Sequence, residues 1–192
     1  PNSEAIGLDI KDDVTRRELI STASIVISMM PPSLHILVAK DCIQFGKNLL
    51  TASYADNEIL SLQQQVMDKG ILFLCEMGLD PGIDHMSAMQ LLDEVKEKGG
   101  TVTSFKSHCG GLIAPESDDN PWHYKITWNP RNIVLAGKAG AVYRQAGKEV
   151  TENYEDLFDA NRTVLTGDVE VTALSYYPNR NSLPYIELYG LE

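Results

Sequence analysis

What this 192-residue sequence has little of narrows its chemistry before any motif is considered. It has three cysteines, Cys42, Cys75 and Cys109, an odd number without a CxxC spacing. That excludes a disulfide framework and a cysteine-built zinc site, and it suits a reducing, cytoplasmic setting. The four histidines are scattered and none is spaced as a ligand pair, so no metal is expected. Basic residues are short: 16 Lys and Arg stand against 27 Asp and Glu, a formal charge of −11. Such a balance argues against non-specific binding to nucleic acid or to an anionic membrane, while leaving room for a local basic pocket. No apolar run approaches the ~20 residues of a membrane-spanning helix. Nor does the sequence open on a signal-peptide pattern.

What is there is an ordinary globular composition, 43% hydrophobic and 22% charged, in a length that suits one domain or parts of two. The most informative stretch is 71–88. Five apolar residues at 71–75 are too few for a helix and read as a strand buried on both faces. Gly78, Pro81 and Gly82 then turn the chain. Ala88, Leu91, Leu92 and Val95 follow at i, i+3, i+4 and i+7, the stripe of an amphipathic helix. Glu76, Asp80 and Asp84 therefore sit in a strand-to-helix loop, and in open α/β sheets ligands bind at that end of the strands.

Upstream, a rhythm leads to this stretch. Residues 5–10 read as a short strand ending at Asp9, and Val14, Leu19 and Ile20 as a helix capped by Asp12 or Asp13. Ile25, Val26 and Ile27 form a strand stopped at Met29, Met30, Pro31 and Pro32. Leu34 to Phe45 follows as a helix ended by Gly46. Leu49 and Leu50 begin another strand, and Ile59, Leu62 and Val66 mark a helix ended by Gly70. Strands start near Ile25, Asn48 and Ile71, 23 residues apart each time. This alternation predicts right-handed crossovers and a parallel sheet, half of a doubly wound fold. No GxGxxG loop follows any strand, so a first βαβ unit upstream of residue 1 is expected.

After Gly99 and Gly100 the texture changes. Residues 101–107 alternate like a strand with one solvated face, and 109–130 form a long irregular segment of the kind that is usually functional. Residues 141–143 and 148–150 read as a hairpin turning at Ala146 and Gly147. Residues 168–177 read as an antiparallel strand, 178–182 as a polar turn and 183–191 as a closing segment. The fold class expected is α/β: the second half of a Rossmann-like parallel sheet, 1–80, followed by part of an α+β substrate domain of dimerisation type, 81–192.

Four motifs in unbroken order carry a resemblance: EMGLDPGIDHMSAM (76–89), CGGL (109–112), APESDDNPWHYKITW (114–128) and YPNRNSLPY (177–185). Together they resemble the glutamate-forming saccharopine dehydrogenases. The resemblance implies an NADP(H) domain, with NAD an open alternative, joined to a substrate domain, and a soluble homo-oligomer. It implies oxidation of the secondary amine of saccharopine, then hydrolysis to glutamate and 2-aminoadipate 6-semialdehyde. Nucleotide contacts would be Asp9 and Ile10 on the adenine side, Met30, Ala52, Ser53, Leu79, Asp80 and Pro81, with Trp128 closing on the nicotinamide. Substrate contacts would be Ser53, Tyr54, Asp80 and Arg180, and Cys109 would lie near the reacting carbon. The sequence departs from the common pattern at Ala52, Pro32, His108 and Ile113. This stretch alone is expected to be inactive. Alternatives are a sibling acting on another amino-acid imine such as carboxynorspermidine, and a cofactor-less binding or assembly module.

The residue types carry the chemistry with different weight. Saccharopine has three carboxylates, and Arg180 can offer one of them a planar two-bond fork, against the reading of a solvated turn arginine. Asp80 is a candidate base if burial in its loop strengthens it, a helix cap, or a partner for the substrate ammonium. Cys109 reads as a proton donor or, preferably, as a small packing residue. His35, His85 and His123 read as structural, and His108 as the histidine able to reach the pocket. Trp122 and Trp128 read as wall or core, and Glu116, Asp118 and Asp119 as a solvated loop.

Overall fold

A computed structural model describes residues 3–126, 131, 135, 137–158, 162–169 and 171–192. The chain separates into two compact units, Pro1–Asp93 and Glu94–Glu192.

The first unit is built on the strand–helix rhythm. Helix α1 (Asp13–Thr22) starts at Asp12, whose carboxylate accepts from the Val14 and Thr15 N–H groups at 3.1 and 3.4 Å. Strand β1 (Ile25–Ser28) leads through a 3₁₀ turn at Pro32–Leu34 into α2 (His35–Phe45). Gly46 ends α2 at φ +64°, a left-handed conformation that glycine adopts without a Cβ penalty. Strand β2 (Asn48–Thr51) follows, and the helix expected around Ile59–Val66 forms as two pieces, α3 (Asn57–Leu60) and α4 (Gln63–Asp68). Strand β3 (Phe73–Leu74) and helix α5 (Ile83–Glu97) complete the series. The sheet is parallel in the order β1-β2-β3, with Ile25 opposite Asn48 and Leu49 opposite Phe73. Its core gathers Ile20, Val38, Ala39, Cys42, Ile43, Leu49, Ile59 and Leu62, with Val26 and Phe73 packed against them.

Three expectations for this unit are corrected. Residues 5–10 form no strand among the described residues; the segment is solvated and ends in a turn closed by Asp12 N–H to Asp9 O at 2.9 Å. A β-segment needs a neighbouring strand to satisfy its backbone, and none pairs with this one among the described residues. Second, the strand at 71–75 is not buried on both faces. Leu72 is 55% exposed and Ile27 on β1 63%, so alternate residues face the helices and the others face outward. Third, only Leu92 of the α5 stripe is buried, while Leu91 is exposed.

In the second unit, β4 (Ala141–Gln145) and β5 (Lys148–Glu152) make the expected antiparallel hairpin. Ala146 and Gly147 turn it with φ of +49° and +76°, the type I′ geometry that matches strand twist. A second hairpin pairs β6 (Thr163–Leu165) with β7 (Ala173–Ser175), shorter than the strand expected at 168–177. Residues 180–181, expected in a turn, form β8 (Arg180–Asn181) parallel to β4. Residues 101–107 form no strand, and helix α6 (Pro184–Leu188) ends the series with proline in its first turn.

Candidate functional site

The site of the first unit lies where the chain leaves the carboxyl ends of β2 and β3. After β3 the backbone keeps pairing with the segment after β2: Glu76 N–H donates to Ser53 O and Met77 N–H to Thr51 O, both at 3.0 Å. Glu76 sits at φ +61°, uncommon for a residue with a Cβ, and its Oε1 accepts from Ala55 N–H at 3.2 Å. This side chain latches the 53–55 turn to the β3 loop.

The loop then closes on itself. Gly78 N–H donates to Pro81 O at 2.9 Å, and Ile83 N–H to Gly78 O at 2.9 Å. Gly82 has φ +148°, and a Cβ there would fall 2.2 Å from Gly78 O, so only glycine is tolerated. Asp84 Oδ1 accepts from Gly82 N–H at 2.7 Å and ties the loop to the start of α5. The Asp80–Pro81 peptide is cis. Pro81 is buried, while Leu79 and Asp80 are exposed.

Ser53, Tyr54 and Asp80, 27 residues apart in sequence from first to last, are thereby brought together. Tyr54 Oη donates to Asp80 Oδ1 at 2.9 Å. Asp80 is exposed rather than half-buried, so the burial expected to strengthen it as a base is not found. Behind Ser53 stands His35, with its ring Nε2 2.8 Å from Ser53 Oγ. Burial lowers the His35 pKa, and the Asp56 carboxylate opposes that shift. Nearby Cys75 is pushed up by burial and then by Glu76 and Asp56, which disfavours a thiolate there.

The remaining expected contacts are distributed as follows. Met30 and Ala52 are half-buried beyond the ends of β1 and β2. Asp9 Oδ1 accepts from Lys11 N–H at 2.9 Å, and Ile10 O accepts from Arg16 Nη1 at 2.6 Å, so both lie in the structured entry to α1. Arg180 and Cys109 belong to the second unit. Arg180 is exposed at φ +56°, its N–H donates to Gly140 O at 3.0 Å, and no carboxylate pairs with its guanidinium among the described residues. Cys109 is exposed and outside any disulfide. Trp128 lies outside the described residues.

The sequence reading missed two residues that organise this site: Glu76 as the latch, and His35 as more than filler. Their signals were present. Ser28 and Thr51 are polar residues that end their strands directly after apolar ones, and a histidine opens the helix after the first of them.

Parallel strands joined by helices, with hydroxyl and carboxylate groups assembled at their carboxyl ends, are the framework of a nucleotide-binding α/β protein. Two family models match the chain: the "Saccharopine dehydrogenase NADP binding domain" over residues 1–74 and the "Saccharopine dehydrogenase C-terminal domain" over 78–192. The chain belongs to the saccharopine dehydrogenase family. It is 41% identical to the alpha-aminoadipic semialdehyde synthase of Arabidopsis thaliana over 98% of this chain and 18% of that one. To the saccharopine dehydrogenase [NADP(+), L-glutamate-forming] of Schizosaccharomyces pombe it is 36% identical over 100% and 42% respectively. The solved apo saccharopine dehydrogenase (L-Glu forming) of Saccharomyces cerevisiae superposes with a TM-score of 0.87 at 38% identity, covering 98% of this chain and 42% of that one. The chain thus spans less than half the length of these relatives. No helix among the described residues is long and apolar enough to cross a membrane.

Met30, Ala52 and Leu79 are apolar residues beyond the strand ends, and Ser53 carries a hydroxyl there, residue types that could take a flat ring and a ribose.

Proposed function

We propose that this chain supplies part of the cofactor and substrate site of an NADP-dependent saccharopine dehydrogenase of the L-glutamate-forming type. The observation that carries the reading is the Tyr54–Asp80 pair beside Ser53 at the ends of β2 and β3. In the forward direction the C–H next to the secondary amine is lost as hydride and the N–H as a proton, leaving an imine. Water then adds, and collapse of the adduct releases glutamate and 2-aminoadipate 6-semialdehyde. The bound nicotinamide supplies the two-electron acceptor for this chemistry.

The chain's own groups bind and manage protons. One Asp80 oxygen is held by the Tyr54 hydroxyl, and the carboxylate offers the other to the substrate ammonium or to the proton released with the amine. Ser53 orients a polar group of the bound ligands. Arg180, with no carboxylate on its guanidinium among the described residues, presents a planar cation to a substrate carboxylate. Three thiols outside any disulfide accord with a reducing, cytoplasmic setting.

The test is a spectrophotometric assay of the whole natural protein with saccharopine and NADP+. Stoichiometric NADPH, glutamate and semialdehyde are expected. Turnover of carboxynorspermidine but not saccharopine would overturn the substrate, and NADPH binding without turnover of either would overturn the enzymatic reading.

A further inference from the structure

His35 takes no part in the chemistry above, yet its surroundings exceed what a packed histidine needs. It is the first residue of α2 and only 4% exposed. Its Nδ1 lies 2.8 Å from Ser28 Oγ at the end of β1. Its Nε2 lies 2.8 Å from Ser53 Oγ and 3.3 Å from Thr51 Oγ1 at the end of β2. Thr51 Oγ1 in turn accepts from Ser53 N–H at 3.2 Å. One imidazole therefore holds three hydroxyls on two strands and the loop that follows.

We propose that His35 is a positioning residue that presents the Ser53 hydroxyl to the bound ligands as a hydrogen-bond donor. The inference rests on the reading of Ser53 as a ligand contact. A serine hydroxyl on a half-exposed turn has several staggered rotamers and a freely rotating proton. Anchoring its oxygen from behind removes that freedom before the ligand arrives, and preorganised donors hold ligands more strongly than mobile ones.

The ring acts in its neutral form. Burial disfavours the imidazolium, and so does the amino end of α2, where the helix dipole repels a cation. The Asp56 carboxylate, which caps α3, pulls the other way. The groups contacting the ring from β1 and β2, Ser28 and Thr51, are uncharged hydroxyls. A neutral imidazole has one donor nitrogen and one acceptor nitrogen. With the hydrogen on Nε2, the ring donates to Ser53 Oγ, and Nδ1 accepts from the Ser28 hydroxyl. The proton of Ser53 then points away from the ring. The opposite tautomer would turn a lone pair outward, the wrong polarity for phosphate or carboxylate in a protein with formal charge −11.

The experiment exploits the two ring positions in the whole natural protein. In His35→Gln the side-chain amide nitrogen reaches the place of Nε2, whereas in His35→Asn it reaches only the place of Nδ1. The Asn variant should weaken NADPH binding or raise the saccharopine KM about tenfold, and Gln should restore most of the loss. In a Ser53→Ala background the Asn substitution should cost nothing further. Equal losses in Asn and Gln, or effects that multiply with Ser53→Ala, would overturn the proposal. Should the variants not fold, ¹⁵N NMR of the wild-type imidazole decides. At about pH 8 Nε2 should carry the hydrogen and Nδ1 none, and the reverse tautomer would overturn it. Absence of saccharopine turnover would sink the proposed function alone, since NADPH binding and the imidazole spectrum are read without it.

Discussion

Replacing Asp41 by alanine should unfold the first unit at a markedly lower temperature and loosen the expected adenine-side contacts. Asp41 on α2 is buried, and its two oxygens accept from Arg16 Nε at 2.7 Å and Arg17 Nε at 3.1 Å, both on α1. Arg16 is 5% exposed, and Asp41 6%, so the charges stand largely outside water. Removing one partner of such a pair costs ~3–5 kcal/mol, because a desolvated charge is left behind. Two features pull the value toward the lower bound. Arg16 keeps the Ile10 carbonyl at 2.6 Å and the Asp13 carboxylate at 2.7 Å. Arg17 is half-exposed and hydrogen-bonds Gln44, so it can be resolvated. A loss of ~3 kcal/mol is therefore expected, a large share of a typical folding free energy of about 5–15 kcal/mol. For a unit of this size the midpoint should fall by roughly 10 °C or more. Thermal unfolding by circular dichroism measures it. Hydrogen exchange at the Asp12 amide, bonded to Asp9 O at 2.9 Å, should quicken in parallel. Arg17→Ala serves as the contrast, costing at most ~1 kcal/mol because that bond is near the surface. The paired change Arg16→Met with Asp41→Leu should recover most of the loss. An Asp41→Ala midpoint within about 1 °C of wild type would refute the reasoning.

Five further outcomes are expected. In the whole natural protein, Asp80→Asn should depress kcat and flatten one limb of the pH profile if Asp80 moves a proton, or raise KM if it only binds. Tyr54→Phe should cost about tenfold or less by either route, with stability unchanged within ~0.5 kcal/mol because the pair is exposed. Arg180→Ala should raise the saccharopine KM by a factor corresponding to ~2–5 kcal/mol and leave NADP affinity unaltered, with lysine recovering only part; an unchanged KM returns Arg180 to a solvated role. The hydrogen bonds from Arg162 and Tyr143 lower the Glu152 pKa, so the unfolded chain takes up this proton first. Its contribution is complete above the ordinary glutamate range and lost as pH falls through the lowered value, and the stability gap between wild type and Glu152→Gln, measured by urea titration, should close on acidification. Finally, β1 is an edge strand among the described residues, with Ile25 and Ile27 exposed on it and Met29 exposed just after it. The 192-residue chain should therefore self-associate in light scattering, and Ile27→Lys should suppress it; a wild-type monomer at all concentrations would contradict this.

Much of this architecture was legible in the residues alone, for local reasons. Apolar period, the glycines at 46, 70 and 82 and the cap at Asp12 act over a few residues, so the strand–helix rhythm and the strand-to-helix loop could be placed without a fold. The hairpin turning at Ala146 and Gly147 was legible for the same reason, and the four motifs carried the family. What sequence could not decide was everything that depends on a distant neighbour. Residues 5–10 and 101–107 have strand-like patterns but pair with no strand among the described residues, whereas Arg180 and Asn181 read as a turn and pair with β4. Burial followed the same logic: Asp80, expected to be half-covered, is lifted into solvent by a loop closing beneath it. His35, set aside as structural, is enclosed by hydroxyls from two strands. Hydrogen-bond partners and solvent exposure are properties of segments meeting in space, and only the tertiary structure determines which segments meet.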